Sequence, residues 1–96
     1  MQTFYVYIIT NKNNTVLYTG FTDDVFRRSL EHKEKLYKGF TAKWNCNKIV
    51  YYETYYDADE AIRRERQLKR YLRKWKEELI DKKNPDWKDL FEEMLT

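Results

Sequence analysis

A short aromatic and β-branched run, an asparagine-rich gap and a second such run open this chain, and together they dictate a hairpin. Phe4 to Thr10 and Val16 to Phe21 both have strand composition. Asn11-Lys12-Asn13-Asn14 between them suits the turn, because Asn tolerates left-handed backbone and bonds its own main chain. Gly20 marks a point where the backbone bulges or approaches something closely. Thr22 and Asp23 are then expected as N-caps for a helix running to about Lys35. On that helix Val25, Arg28, Ser29 and His32 share one face, with Phe26 and Leu30 on a neighbouring one.

Beyond a loop around Gly39, Ile49 to Thr54 reads as a third strand. Asp57 is expected to cap a long helix, with Glu60 completing an approximate capping box. The helix is expected to run through the basic stretch to about Trp75 and to bend before Leu79. Its inward stripe reads Ala61, Glu65, Leu68, Leu72, Trp75, Leu79, while Arg63, Arg64, Arg66, Lys69, Arg70, Arg73, Lys74 and Lys76 fall mainly outward. A carboxylate at Glu65 within an apolar stripe is costly unless a cation or donors meet it. Asn84-Pro85 is expected to start a last short helix, with Asn at the cap. The fold class is α+β, a small three-stranded antiparallel sheet flanked by helices, with residues 1–96 as a single domain.

Composition narrows the chemistry. Charged residues make up 36% of the chain with a net charge of +3, and no apolar run reaches membrane-spanning length. Met1 leads into a strand pattern without a signal peptide, and the lone cysteine, Cys46, suits a reducing compartment, so the expected location is cytoplasmic, with no membrane partner. One Cys and one His cannot build a zinc cage within a monomer. A functional metal would use carboxylate and water oxygens, which favours Mg²⁺ or Mn²⁺.

Taken singly, each feature has a plainer reading. A strand tyrosine usually packs, a lone His usually satisfies a local hydrogen bond, and a basic run is usually a solvated face. Glu65 also suits an ion pair with Arg28 or with a cation of its own helix. What shifts the weight is the order: Tyr5-Val6-Tyr7, then Tyr18-Thr19-Gly20, then Arg28 and His32 one turn apart, then Glu65. These groups can hold and cleave a phosphodiester.

That ordered set resembles the GIY-YIG nuclease domain, with Tyr-Val-Tyr where Gly-Ile-Tyr usually stands and Tyr-Thr-Gly where Tyr-Ile-Gly stands. Gly39-Phe40-Thr41 with Lys43-Trp44, Val50-Tyr51-Tyr52-Glu53, Glu60-Ala61 before Arg64-Glu65, and Asn84-Pro85-Asp86-Trp87 extend the likeness to small stand-alone bacterial members. The resemblance implies an active site of Tyr7, Tyr18, Arg28, His32 and Glu65, with Glu65 as the metal ligand. Tyr5 stands at the family's usual Gly, and Ser29 where an aliphatic residue commonly follows the arginine. It implies metal-dependent hydrolysis of DNA, with Tyr18, helped by Tyr7 and His32, or His32 itself near its ordinary pKa, as general base. Arg27, Lys43, Arg66, Lys69 and Arg70 are the expected nucleic-acid contacts, and Gly20 and Asn84 the structural positions. DNA is the expected partner, with RNA and a repair or recombination protein as further candidates. The alternatives are a non-catalytic nucleic-acid-binding module and a protein-interaction domain on the same fold.

Overall fold

The computed structural model describes residues 2–35 and 39–94. Strand β1 (Phe4–Thr10) lies at the centre of a sheet of order β2-β1-β3, antiparallel to both β2 (Leu17–Thr22) and β3 (Lys48–Tyr55). Val6 through Thr10 are all buried, so β1 is covered on both faces and its unbroken apolar run has a structural cause. Val6 and Ile8 face helix α3 (Ala58–Lys69) and helix α4 (Arg73–Lys83), meeting Ala61, Leu68 and Ile80. Tyr7 and Ile9 face the other way, toward Val25 of helix α1 (Val25–Lys33), Cys46 and Ile49. The β1–β3 register slips between Ile8 and Ile9, where Val50 is the extra residue. This bulge sends Val50 and Tyr51 into the same α3-side core, while Ile49 serves the α1 side.

The hairpin turn forms as expected. Asn14 is left-handed at φ 59°, its N–H donates to the Asn11 carbonyl at 3.0 Å, and Asn11 Oδ1 accepts from Thr15 N and Val16 N. Several boundaries differ from expectation. The cap of α1 is Asp24, whose carboxylate accepts from Arg27 N at 2.9 Å, while Thr22 accepts from Asp24 N and Asp23 pairs with Arg27. The loop before β3 contains a short helix α2 (Phe40–Lys43) that opens at Gly39, where φ is +104°. Asp57 does cap α3, but it accepts from Asp59 N, one residue short of a capping box.

The expected long helix is two. It stops at Lys69, and Leu72, extended at φ −61° and ψ 151°, starts α4. Leu72 and Trp75 are therefore exposed, at 62% and 46%, rather than inward. The break turns α4 so that Ile80 reaches the core and Arg73 reaches the hairpin, donating to the carbonyls of Asn14 and Thr15 at 2.6 and 2.7 Å. Asn84 ends α4 instead of starting another helix, and the last helix is α5 (Phe91–Met94). The segment between folds back on α1: Leu90 N donates to Ile49 O, Asp89 pairs with Lys33, and Phe91 stacks on Phe26 at 5.2 Å.

Glu53 anchors α3 to the sheet. Arg64 donates to both of its oxygens at 2.9 Å, Tyr55 donates to one at 2.6 Å and Tyr51 donates to the other. Burial pushes the Glu53 carboxyl up, and the Arg64 hydrogen bonds with the two phenols outweigh it, holding the group below its ordinary 4.5. A depressed folded pKa means that this stabilisation is complete above pH 4.5 and is lost as pH falls through the folded value. Glu53→Ala should cost about 3 kcal/mol by urea denaturation at pH 7, because it strands a poorly exposed guanidinium. Glu53→Met with Arg64→Met should recover much of that loss, and its stability should vary less between pH 7 and the acid range.

Candidate active site

Strand register places Tyr7 directly opposite Gly20. A Cβ built on Gly20 would lie 2.8 Å from Tyr7 Cε1 and closer still to Cζ and the hydroxyl. The phenol therefore lies across the glycine Cα, in space that any other residue would fill. Close approach, not a special backbone angle, is what requires glycine here. From above, α1 brings His32 Nε2 to 3.1 Å from the Tyr7 hydroxyl, with the rings edge to face at 5.9 Å.

His32 is 5% exposed. Burial first, then repulsion from Arg28, lower its pKa to about 4, against a smaller opposing pull from Glu31. The imidazole is thus neutral at neutral pH. That value lies below the ordinary imidazole pKa expected from the sequence; the neutral ring hydrogen-bonds Tyr7 through Nε2, accepting from the phenol O–H when Nδ1 carries the ring hydrogen.

Arg28 lies on the inner side of α1, with Nε 3.4 Å from Glu31 Oε1, whereas Arg27 points outward to Asp23 at 2.9 Å. Tyr18 pairs with Ile9 in the register, so it shares the α1-side face with Tyr7 and Gly20. Helix α3 covers the opposite face, and the two sides meet round the outer edge of β2. There Lys69 Nζ lies 6.0 Å from the Tyr18 ring centre and 3.5 Å from Glu65 Oε2. Tyr7 and His32 thus form a buried floor, while Tyr18, Lys69 and Glu65 form an edge.

The two glutamates near α3 differ in kind. Glu53 has both oxygens committed to Arg64 and two phenols. Glu65, with its side chain 18% exposed, has Lys69 of its own helix at 3.5 Å, an i,i+4 pair with a half-exposed ammonium that moves aside at small cost. Among the described residues no three His, Cys, Asp or Glu side chains group as metal ligands. Glu65 fits a hard divalent ion of the Mg²⁺ type, which takes one or two carboxylates and completes its shell with water and phosphate oxygens.

Of the expected nucleic-acid contacts, Lys69 joins the site and Lys43 lies beside it, over Trp44. Arg66 and Arg70 do not. They line a groove on the outward side of α3 with Arg63, Gln67, Tyr71 and Trp75. Arg64 and Arg73, read as part of the basic field, are structural clamps. Asn84 is occupied by backbone, donating to Val50 O and Lys88 O and accepting from Lys88 N. Sequence reasoning missed Phe40 and Lys76, which line a groove with Tyr18 and Lys69. An aromatic followed by Lys43-Trp44 was the available signal for the first.

Residues 3–78 match the model of the GIY-YIG catalytic domain. The chain belongs to the GIY-YIG family. Among its relatives, the UPF0213 protein SERP0126 of Staphylococcus epidermidis is 35% identical over 80 residues, covering 83% of this chain and 96% of that protein. The UPF0213 protein HQ_3675A of Haloquadratum walsbyi is 34% identical, covering 80% and 85%. The solution NMR structure of the UPF0213 protein BH0048 from Bacillus halodurans superposes with a TM-score of 0.57 at 30% identity, over 91% of this chain and 92% of that one. In this GIY-YIG chain, Tyr7 and Gly20 are the last residues of the two signature tripeptides, and their contact explains why the motif needs both.

Two outcomes follow from this geometry. His32 is the sole histidine, so its ring NMR signals in untagged protein need no assignment, and they should titrate near pH 4 rather than 6.5. Because the folded pKa is the lower one, the histidine's contribution to stability should be complete above pH 6.5 and fall away toward pH 4. Gly20→Ala should destabilise by about 1–3 kcal/mol through overpacking. It should also move the histidine signals by displacing Tyr7, and unchanged signals would contradict the close approach.

Proposed function

We propose that this GIY-YIG domain is a divalent-metal-dependent DNA endonuclease of low or structure-based sequence specificity. The observation that carries the reading is the arrangement at the β2 edge: a loosely paired carboxylate, Glu65, and a phenol, Tyr18, linked by Lys69, beside a buried Tyr7–His32 pair. Glu65 would hold a divalent ion, which would supply Lewis acidity toward the scissile phosphate. Arg28 and Lys69 attract and orient the scissile phosphate, and the planar Arg28 guanidinium balances the charge that builds during attack. Tyr18 takes the proton of the attacking water. Tyr7 and His32, uncharged, hold the floor of the site and exclude water from beneath the reacting groups.

One observation favours the alternative of a non-catalytic binding module on the same fold, namely that Lys69 pairs with Glu65. The Lys69 end of this pair is half-exposed and flexible, so phosphate and a divalent ion compete for the two partners. The deciding measurement is nicking of supercoiled plasmid with Mg²⁺ or Mn²⁺ against EDTA. Glu65→Gln, Tyr18→Phe and Arg28→Lys should each lower the single-turnover rate by about 10²–10³. Arg27→Ala, which removes only an outward ion pair, should be mild. A wild-type rate for Glu65→Gln in Mg²⁺ would leave Glu65 a structural residue and the proposal wrong.

A further inference from the structure

Next to Tyr18 the surface becomes an aromatic strip. Phe40 stacks on Tyr18 with ring centres 5.9 Å apart and planes at 29°, and Trp44 leans on Phe40 at 6.4 Å. Phe40 and Trp44 are 48% and 45% exposed. About half of each side chain stays open to solvent, leaving ring surface free for a stacking partner. Cations line the same strip. Lys43 Nζ lies 5.5 Å from the Trp44 ring centre, Lys69 Nζ lies 6.0 Å from that of Tyr18, and Lys76 enters the groove formed by Leu17, Tyr18, Thr19 and Phe40. Burial and then the charges of Arg73 and Lys69 lower the Lys76 pKa, a strain that an incoming anion relieves.

Alternating aromatic faces and ammonium groups match the needs of one kind of ligand. A single nucleic-acid strand presents phosphates at regular intervals and bases whose faces are free to stack. In a duplex those faces are already covered. We propose that Phe40 and Trp44 form a stacking platform for unpaired bases of a DNA strand, with Lys43, Lys69 and Lys76 on the flanking phosphates. The substrate then enters single-stranded or locally unpaired, one base step from Tyr18. This substrate class rests on the nuclease reading only in taking Tyr18 as the point of cleavage; the binding itself is independent of it.

The test uses the full chain in EDTA, so that binding is read without cleavage. Fluorescence anisotropy compares a labelled oligo-dT with a labelled blunt duplex of equal length. The single strand should bind about tenfold tighter or more, and Trp44→Ala should weaken it about tenfold, the loss expected for one stacked base. Trp44→Phe should retain most of the affinity, and duplex binding should change by no more than about twofold in either variant. Thermal melting checks that both variants are folded. Equal affinity for the two DNA forms, or a folded Trp44→Ala protein that holds the single strand as well as wild type, overturns the proposal and leaves the strip to a protein partner. Cleavage in Mg²⁺ of both a supercoiled plasmid and a labelled single strand separates the two readings. A chain that binds unpaired DNA through Trp44 without cutting keeps this inference and defeats the nuclease reading. One that cuts without preferring unpaired DNA does the reverse.

Discussion

A phenol ring lying on a backbone without a side chain sets the geometry of this domain's site. Because Tyr7 occupies the space over Gly20, its hydroxyl emerges at a fixed height above the sheet, and α1 docks where His32 can meet it. Ser29, on the same helix, is fully buried. The position of Arg28 is then set by the same helix. One tight contact in the sheet thereby determines where an imidazole and a guanidinium stand.

The second organising element is the unequal treatment of two carboxylates. Glu53 is enclosed by Arg64, Tyr51 and Tyr55 and serves as a fixed point between sheet and helix. Glu65, only one residue further along α3 than Arg64, is left with a flexible ammonium. A single helix thus carries an anchor, Arg64, on one side and a loosely held carboxylate, Glu65, on the other. Proximity in sequence reveals nothing of this difference, which comes from what each side chain meets across the sheet.

Much of the architecture was legible because local chemistry and tertiary context agreed. β1 was located to the residue, and the Asn11–Asn14 turn and the Asp57 cap follow from turn and cap chemistry that acts within a few residues. The break at Arg70–Leu72 was not legible. It carries no Gly or Pro, and the apolar spacing continues through it; the break is favoured by distant contacts, Ile80 in the core and Arg73 on Asn14 and Thr15. The depressed pKa of His32 was equally hidden, since it depends on burial. Ordering of the site along the chain was readable from motif spacing, yet the wrapping of Tyr18, Lys69 and Glu65 round the edge of β2 was not, because periodicity along a strand does not tell which neighbour a long side chain reaches.

The return of the C-terminal segment to α1 has its own consequence. The stretch matching the family's catalytic domain ends at residue 78, whereas Asp89, Leu90 and Phe91 grip Lys33, Ile49 and Phe26. α1 is a short helix with one face on the sheet, and its other support comes from this tail. The free energy of local opening at Arg28 and His32 is therefore tied to residues remote from them in sequence. Substitutions in the tail can tune the rigidity around Arg28 and His32 without touching either residue, a control that lies outside the signature motifs.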